Sequence, residues 1–247
     1  MKWRWIAGGL LALLLASVAL NIRLSRQVAN IDRILNTVRL DPINLGTYPA
    51  DALPPDPMQR RVVVFGDSRA QDWPAPEGLE SFTFINRGIL TQTSAQVRLR
   101  FAAHVQPLRP DVLLVQMCTN DLLTIPVFPE RREAILTGCQ QNVAAILDEA
   151  RALGTIVILT TVFPMSSDDL TQAVDRVNDE FRSLAADDVI LFDAYTLLVD
   201  SRGLLRADLR VDELHLNTAG YALLNQSLIP LLQTLGESRD PDQHLQP

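Results

Sequence analysis

Arg61-Val62-Val63-Val64-Phe65-Gly66-Asp67-Ser68 is the stretch that decides how this chain folds. Arg61–Phe65 is a short, β-branched run with no polar residue at alternate positions. A strand that is apolar on both sides must be covered on both sides, as in a parallel sheet between helical layers. The same pattern returns at Phe82–Asn86, Asp111–Met117, Thr155–Thr160 and Val189–Asp193. Amphipathic helical patterns lie between and after these runs, at Thr93–Val105, Glu130–Leu153, Leu170–Ala186 and Thr218–Leu235. Strand alternating with helix predicts an α/β domain, and right-handed crossovers make it a three-layer α/β/α sandwich around a five-stranded parallel sheet.

In such sheets, ligands bind beyond the carboxyl ends of the strands. Gly66-Asp67-Ser68 follows the first predicted strand, Asn86-Arg87-Gly88 the second and Thr119-Asn120-Asp121 the third, so all three fall on one rim. A serine in this place is either a helix N-cap or a hydroxyl exposed on a tight turn. His215 decides between them. Asp212 stands three residues before it, a spacing that shares one face of a helical turn and lets a carboxylate reach the imidazole. The carboxylate then holds one ring nitrogen protonated and leaves the other to take the Ser68 proton. Gly88 and Asn120 are the candidate donors to an oxyanion, one through its backbone N–H and one through its side-chain amide. Asp121 reads as a structural carboxylate bonded to backbone. Arg69 and Arg87 read as solvated arginines flanking the site, and His104 as a packed or half-exposed helix residue.

The formal charge of −7, with no stripe of Lys or Arg, argues against a nucleic-acid partner. No Cys/His set has zinc spacing and no Gly-rich phosphate loop is present, so no metal or organic cofactor is expected. The two cysteines, Cys118 and Cys139, read as buried free thiols, with pairing as the alternative if the domain is exported. At the N-terminus, Lys2-Trp3-Arg4-Trp5 precedes an apolar run from Ile6 to Leu20. Residues 1–22 read as a membrane anchor, with a cleaved signal segment as the alternative. Leu24, Val28, Ile31, Leu35 and Val38 continue at helical spacing as a stalk, and Pro42, Pro49, Pro54, Pro55 and Pro57 make a stiff linker, together residues 23–60. The catalytic domain then spans 61–236, and 237–247 read as a disordered tail. Basic residues at the extreme N-terminus place the domain outside the cytoplasm, anchored, or secreted if the segment is cut.

Four of these stretches resemble blocks of the SGNH hydrolases, the GDSL family of esterases and lipases. "VVVFGDS" is similar to the first block, "NRG" to the second, "TND" to the third and "DELHLNTAGY" to the last. The resemblance covers about residues 61 to 235. It implies a flavodoxin-like α/β/α fold, with Ser68 as nucleophile and Asp212 and His215 completing a triad. It also implies an oxyanion hole of the Ser68 amide, the Gly88 amide and the Asn120 side chain. The substrates implied are small-acyl esters of glycans or lipids, hydrolysed or transferred. Two positions depart from the family pattern: Cys118 and Glu213 stand where glycine is common. Cys118 and the long stalk motivate an alternative, a membrane-tethered binding or scaffold protein that kept the fold and lost turnover.

Overall fold

A computed structural model describes residues 2–49, 54, 56 and 58–237. Pro55, Pro57 and the tail from residue 238 on lie outside the described residues. The chain divides into two units, Met1–Asn44 and Leu45–Pro247. The first is one uninterrupted helix, α1 (Lys2–Leu40), in which the predicted apolar run and stalk merge. Its most apolar 18-residue window has a mean hydropathy of 2.1, long and apolar enough to cross a membrane.

The second unit carries β1 (Arg60–Gly66), α2 (Ser68–Gln71), β2 (Phe82–Gly88), α3 (Ser94–Leu99), α4 (Phe101–His104), β3 (Val112–Gln116) and α5 (Thr119–Leu122). It continues with α6 (Arg132–Arg151), β4 (Ile156–Thr160), α7 (Thr171–Ser183), β5 (Val189–Phe192), α8 (Ala194–Leu198) and α9 (Thr218–Glu237). The strands form one parallel sheet in the order β2-β1-β3-β4-β5. Val63, Phe65, Leu113, Val115, Val157 and Leu159 face a core closed by α3, α6 and α7. Val62, Val64, Val112, Leu114 and Ile158 face the opposite core, closed by α2, α8 and α9. Alternate residues of the central strands thus enter different cores, which is why Val62–Phe65, Val112–Val115 and Ile156–Leu159 carry no polar residue.

Three details differ from expectation. The helix predicted over Thr93–Val105 breaks at Arg100, between α3 and α4. Arg100 is fully buried, and its guanidinium donates to Gln92 Oε1 (2.5 Å), Arg87 O (2.6 Å) and Gly66 O (2.7 Å). The linker is not free along its whole length: the Tyr48 hydroxyl donates to Gly88 O at 2.5 Å, and its ring packs edge-on against His104. The cysteines are not free thiols. Cys118 and Cys139 form a disulfide with their Cα atoms 5.8 Å apart, because the turn opening α5 lies directly on α6.

Candidate active site

The end of β1 is flanked in register by the ends of its neighbours, Gly66 opposite Gly88 on β2 and opposite Gln116 on β3. Gly66 is required by close approach, since a Cβ there would lie 1.6 Å from Gln116 O. Asp67 caps α2, its Oδ1 accepting from the Arg69 N–H at 3.0 Å, so Ser68 is the first helical residue. Among the described residues the Ser68 N–H has no partner, as befits a helix start.

Ser68 Oγ lies 3.0 Å from His215 Nε2, and His215 Nδ1 lies 2.9 Å from Asp212 Oδ2. The three groups form one hydrogen-bonded line across 147 residues of sequence. The segment holding Asp212 and His215 is not the helical turn expected from their spacing. It is a tight loop in which Asp212 Oδ1 accepts from the backbone N–H groups of Leu214 and His215, both at 2.7 Å, and Val211 N–H donates to His215 O at 3.0 Å. The His215 N–H, then the imidazole and the Leu214 N–H, hold the Asp212 carboxyl down at about 2. The carboxylate is therefore ionised at neutral pH. Asn217 closes the loop, accepting from Gly220 N–H at the start of α9 and donating to Asp208 O.

The expected oxyanion donors are placed unequally. The Asn120 amide donates to Gln92 O at 3.0 Å through one of its two hydrogens. The Gly88 N–H is engaged, donating to Asn86 Oδ1 at 2.7 Å. Gly88 is glycine because β2 ends against α2: a Cβ would lie 2.1 Å from Gln71 N. The loop after β2 offers another donor. Ile89 N–H donates to Gly66 O, Leu90 N–H to Gln71 Oε1 and Thr93 N–H to Gln96 Oε1. Among the described residues Thr91 N–H has no hydrogen-bond partner, and Thr91 has a positive φ of 62°. A threonine gives no sign in the sequence of left-handed backbone.

Asp121 is structural as expected, its buried carboxylate accepting from Ser94 N–H (2.7 Å) and Ser94 Oγ (2.5 Å) at the start of α3. Burial raises its pKa. Arg69 and Arg87 are not solvated. Arg69 is fully buried, and Arg87 is largely buried with its guanidinium over the Tyr48 ring at 4.7 Å. His104 is buried, its Nδ1 3.4 Å from Arg100 Nη1. Cys118 sits in the left-handed region (φ 79°) at the N-cap of α5, the position where glycine is common. A cavity of about 330 Å³ opens beside Asp121 and Thr93, bounded by Thr124, Phe128, Arg131 and Ile135. Among the described residues, no group of three or more His, Cys, Asp or Glu side chains is arranged to hold a metal ion.

The arrangement has counterparts in known proteins. A candidate acylhydrolase from Bacteroides fragilis aligns over 78% of this chain and 98% of its own at 24% identity, with a TM-score of 0.68. A GDSL-like lipase from Bacteroides thetaiotaomicron aligns over 78% and 98% at 23% identity, TM-score 0.67. An acetylxylan esterase from Geobacillus stearothermophilus aligns over 69% and 93% at 17% identity, TM-score 0.58. At these identities the likeness is one of fold. No curated protein matches this sequence. The sequence pattern of the GDSL-like lipase/acylhydrolase family, however, matches residues 64–223, from the middle of β1 into α9, and so takes in Ser68, Asn120, Asp212 and His215 alike. With more than half its length matched and the fold in agreement, the chain belongs to the GDSL-like lipase/acylhydrolase family, the SGNH hydrolases.

Proposed function

We propose that this protein is a serine ester hydrolase that works through a covalent acyl-enzyme. The observation that carries the reading is the line Ser68 Oγ–His215 Nε2–Asp212, with contacts of 3.0 and 2.9 Å. Ser68 Oγ attacks the ester carbonyl while His215 Nε2 takes its proton, and Asp212 stabilises the imidazolium. The tetrahedral oxyanion is held by the Ser68 N–H, the Asn120 amide and, in place of the engaged Gly88 N–H, the Thr91 N–H, which has no partner among the described residues. His215 then gives its proton to the leaving alcohol. Water, deprotonated by His215, attacks the acyl carbonyl, and collapse returns Ser68 and releases the acid. A sugar hydroxyl entering in place of water makes the same intermediate an acyl donor.

The acyl group is small and the substrate an O-acylated glycan or a lysophospholipid. The glycan arm is supported by structural neighbours that include an acetylxylan esterase. The domain lies outside the cytoplasm, tethered by α1. Two features support this: the apolar N-terminal helix, and the Cys118–Cys139 disulfide, a bond that persists in oxidising compartments.

The test is labelling of the full chain with a fluorophosphonate, paired with hydrolysis of p-nitrophenyl acetate. Labelling at Ser68 and loss of about 10⁶-fold in turnover on Ser68→Ala are expected. A folded wild-type protein that neither labels nor hydrolyses would refute the reading and leave the tethered scaffold in its place.

A further inference from the structure

Arg69 follows Ser68 in the chain, and its side chain is fully buried. Nε donates to Leu214 O at 3.0 Å. Nη1 donates to Phe163 O at 3.2 Å and Thr119 Oγ1 at 3.4 Å, and Nη2 to Pro164 O at 3.2 Å. Its own carbonyl accepts from the Tyr221 hydroxyl at 3.0 Å. These partners belong to separate segments. Leu214 adjoins His215, Thr119 adjoins Asn120, and Phe163-Pro164 is the connection after β4.

The bonds inside the Asp212–His215 loop set its shape but not its distance from Ser68. That distance depends on bonds that leave the loop. His215 O and Asp212 O are bonded to the chain just before the loop, by Val211 N–H and Arg210 Nη1, and two bonds reach the loop from across the fold: Leu214 O accepts from Arg69, and Glu213 O accepts from Ser166 N–H at 3.1 Å. The second runs through the same 163–166 connection that the Arg69 amino groups hold. Both of these cross-fold bonds therefore lead back to one guanidinium, one residue from the serine hydroxyl.

We propose that Arg69 is a positioning residue, a buried fork that sets the separation of Ser68 from His215 and of both from Asn120. The proposal rests on Ser68 and His215 acting together as described above. Arginine suits the task because its planar fork presents five donors in fixed directions, enough to span three segments. Lysine, a point charge with three donors on a flexible stem, cannot reproduce them. An apolar residue would leave the Leu214, Phe163 and Pro164 carbonyls, the last two buried, without these donors. Reacting groups displaced by about 1 Å lose on the order of 10²-fold in rate.

The experiment uses the full chain in detergent, with Arg69→Lys, Arg69→Met and, as a control for stability, Thr155→Val. Thr155 Oγ1 donates to Pro110 O at the opposite end of the sheet. Turnover of p-nitrophenyl acetate, the rate of fluorophosphonate labelling and the melting temperature are measured on each. The expected result is a fall of about 10²-fold in kcat and in labelling rate for both Arg69 variants, with KM within about threefold. Thr155→Val is expected to lose stability at unchanged kcat. If Arg69→Met fails to fold, Tyr221→Phe releases the Arg69 backbone at the cost of one buried bond, and a fall in kcat of about fivefold is expected. Folded variants that label and turn over at the wild-type rate would overturn the positioning role while leaving Ser68 as nucleophile. A wild-type protein that does not label would instead refute the underlying reading.

Discussion

The Cys118–Cys139 disulfide invites the most informative perturbation. It joins the N-cap of α5 to the middle of α6 across 21 residues. In the chain-entropy account, closing a loop of that length stabilises the folded state by about 3 kcal/mol. A second term opposes it. Cys118 is held at φ 79°, where a side chain costs about 1 kcal/mol and glycine costs little. The double variant Cys118→Ala/Cys139→Ala therefore loses the cross-link and keeps the backbone strain. Cys118→Gly/Cys139→Ala loses the cross-link and relieves it. For a domain of this size, 1 kcal/mol moves the melting temperature by about 2–4 °C. Thermal unfolding of the full chain, followed by near-UV circular dichroism, should place the Ala variant about 6–12 °C below the oxidised wild type. The Gly variant should recover about 2–4 °C of that. Reducing the wild type should reproduce most of the loss. Two free thiols by mass spectrometry of the protein recovered from an oxidising compartment would refute the bond. A Gly variant no more stable than the Ala variant would refute the backbone argument.

Asp212→Asn should lower kcat by about 10⁴-fold, because an amide no longer holds His215 in the required tautomer; a kinetic profile from pH 5 to 9 checks it. Since the carboxyl is held near 2, its ionisation should not contribute to any loss of activity above about pH 4, and its stabilising effect is lost only as pH falls through the folded value. Asn120→Ala should cost about 10²–10³-fold in kcat. Gly88→Ala should instead lower the melting temperature, by the equivalent of about 1–3 kcal/mol, since the new Cβ meets the Gln71 backbone. Equal effects of the two on kcat at unchanged stability would restore Gly88 as a donor. Burial raises the Asp67 carboxyl to about 6, so its protonated form stabilises the fold in full below about pH 4, and this contribution is lost as pH rises through 6. Melting curves should show Asp67→Asn gaining on the wild type between pH 4 and 7; a constant difference would refute the shift.

The layered sheet was legible because its signal is redundant. Each of the five apolar runs is a strand, displaced by no more than two residues at either end, and each connecting helical pattern holds a helix. The contact of Ser68, Asp212 and His215 was expected for a related reason: these are short local stretches whose residue types have few uses together. What failed was local geometry. The Asp212–His215 spacing suggested a helical turn, but side-chain bonds to two backbone N–H groups made a loop instead. Gly88 suggested an open amide, but its glycine answers a steric demand from α2. Arg69 and Arg87 suggested surface, since charge in a sequence carries no record of which carbonyls will surround it.

The sequence by itself determined the order of strands and helices, the apolar N-terminal helix and the family blocks that carry Ser68, Asn120, Asp212 and His215, because periodicity and residue type are local properties. Only the tertiary structure decided that Ser68 meets His215, that Cys118 pairs with Cys139 and that Arg69 is clamped among three segments. Each of these is a distance or a direction between parts of the chain far apart in sequence. Such distances follow from packing two helical layers against one sheet, and no stretch of residues contains them.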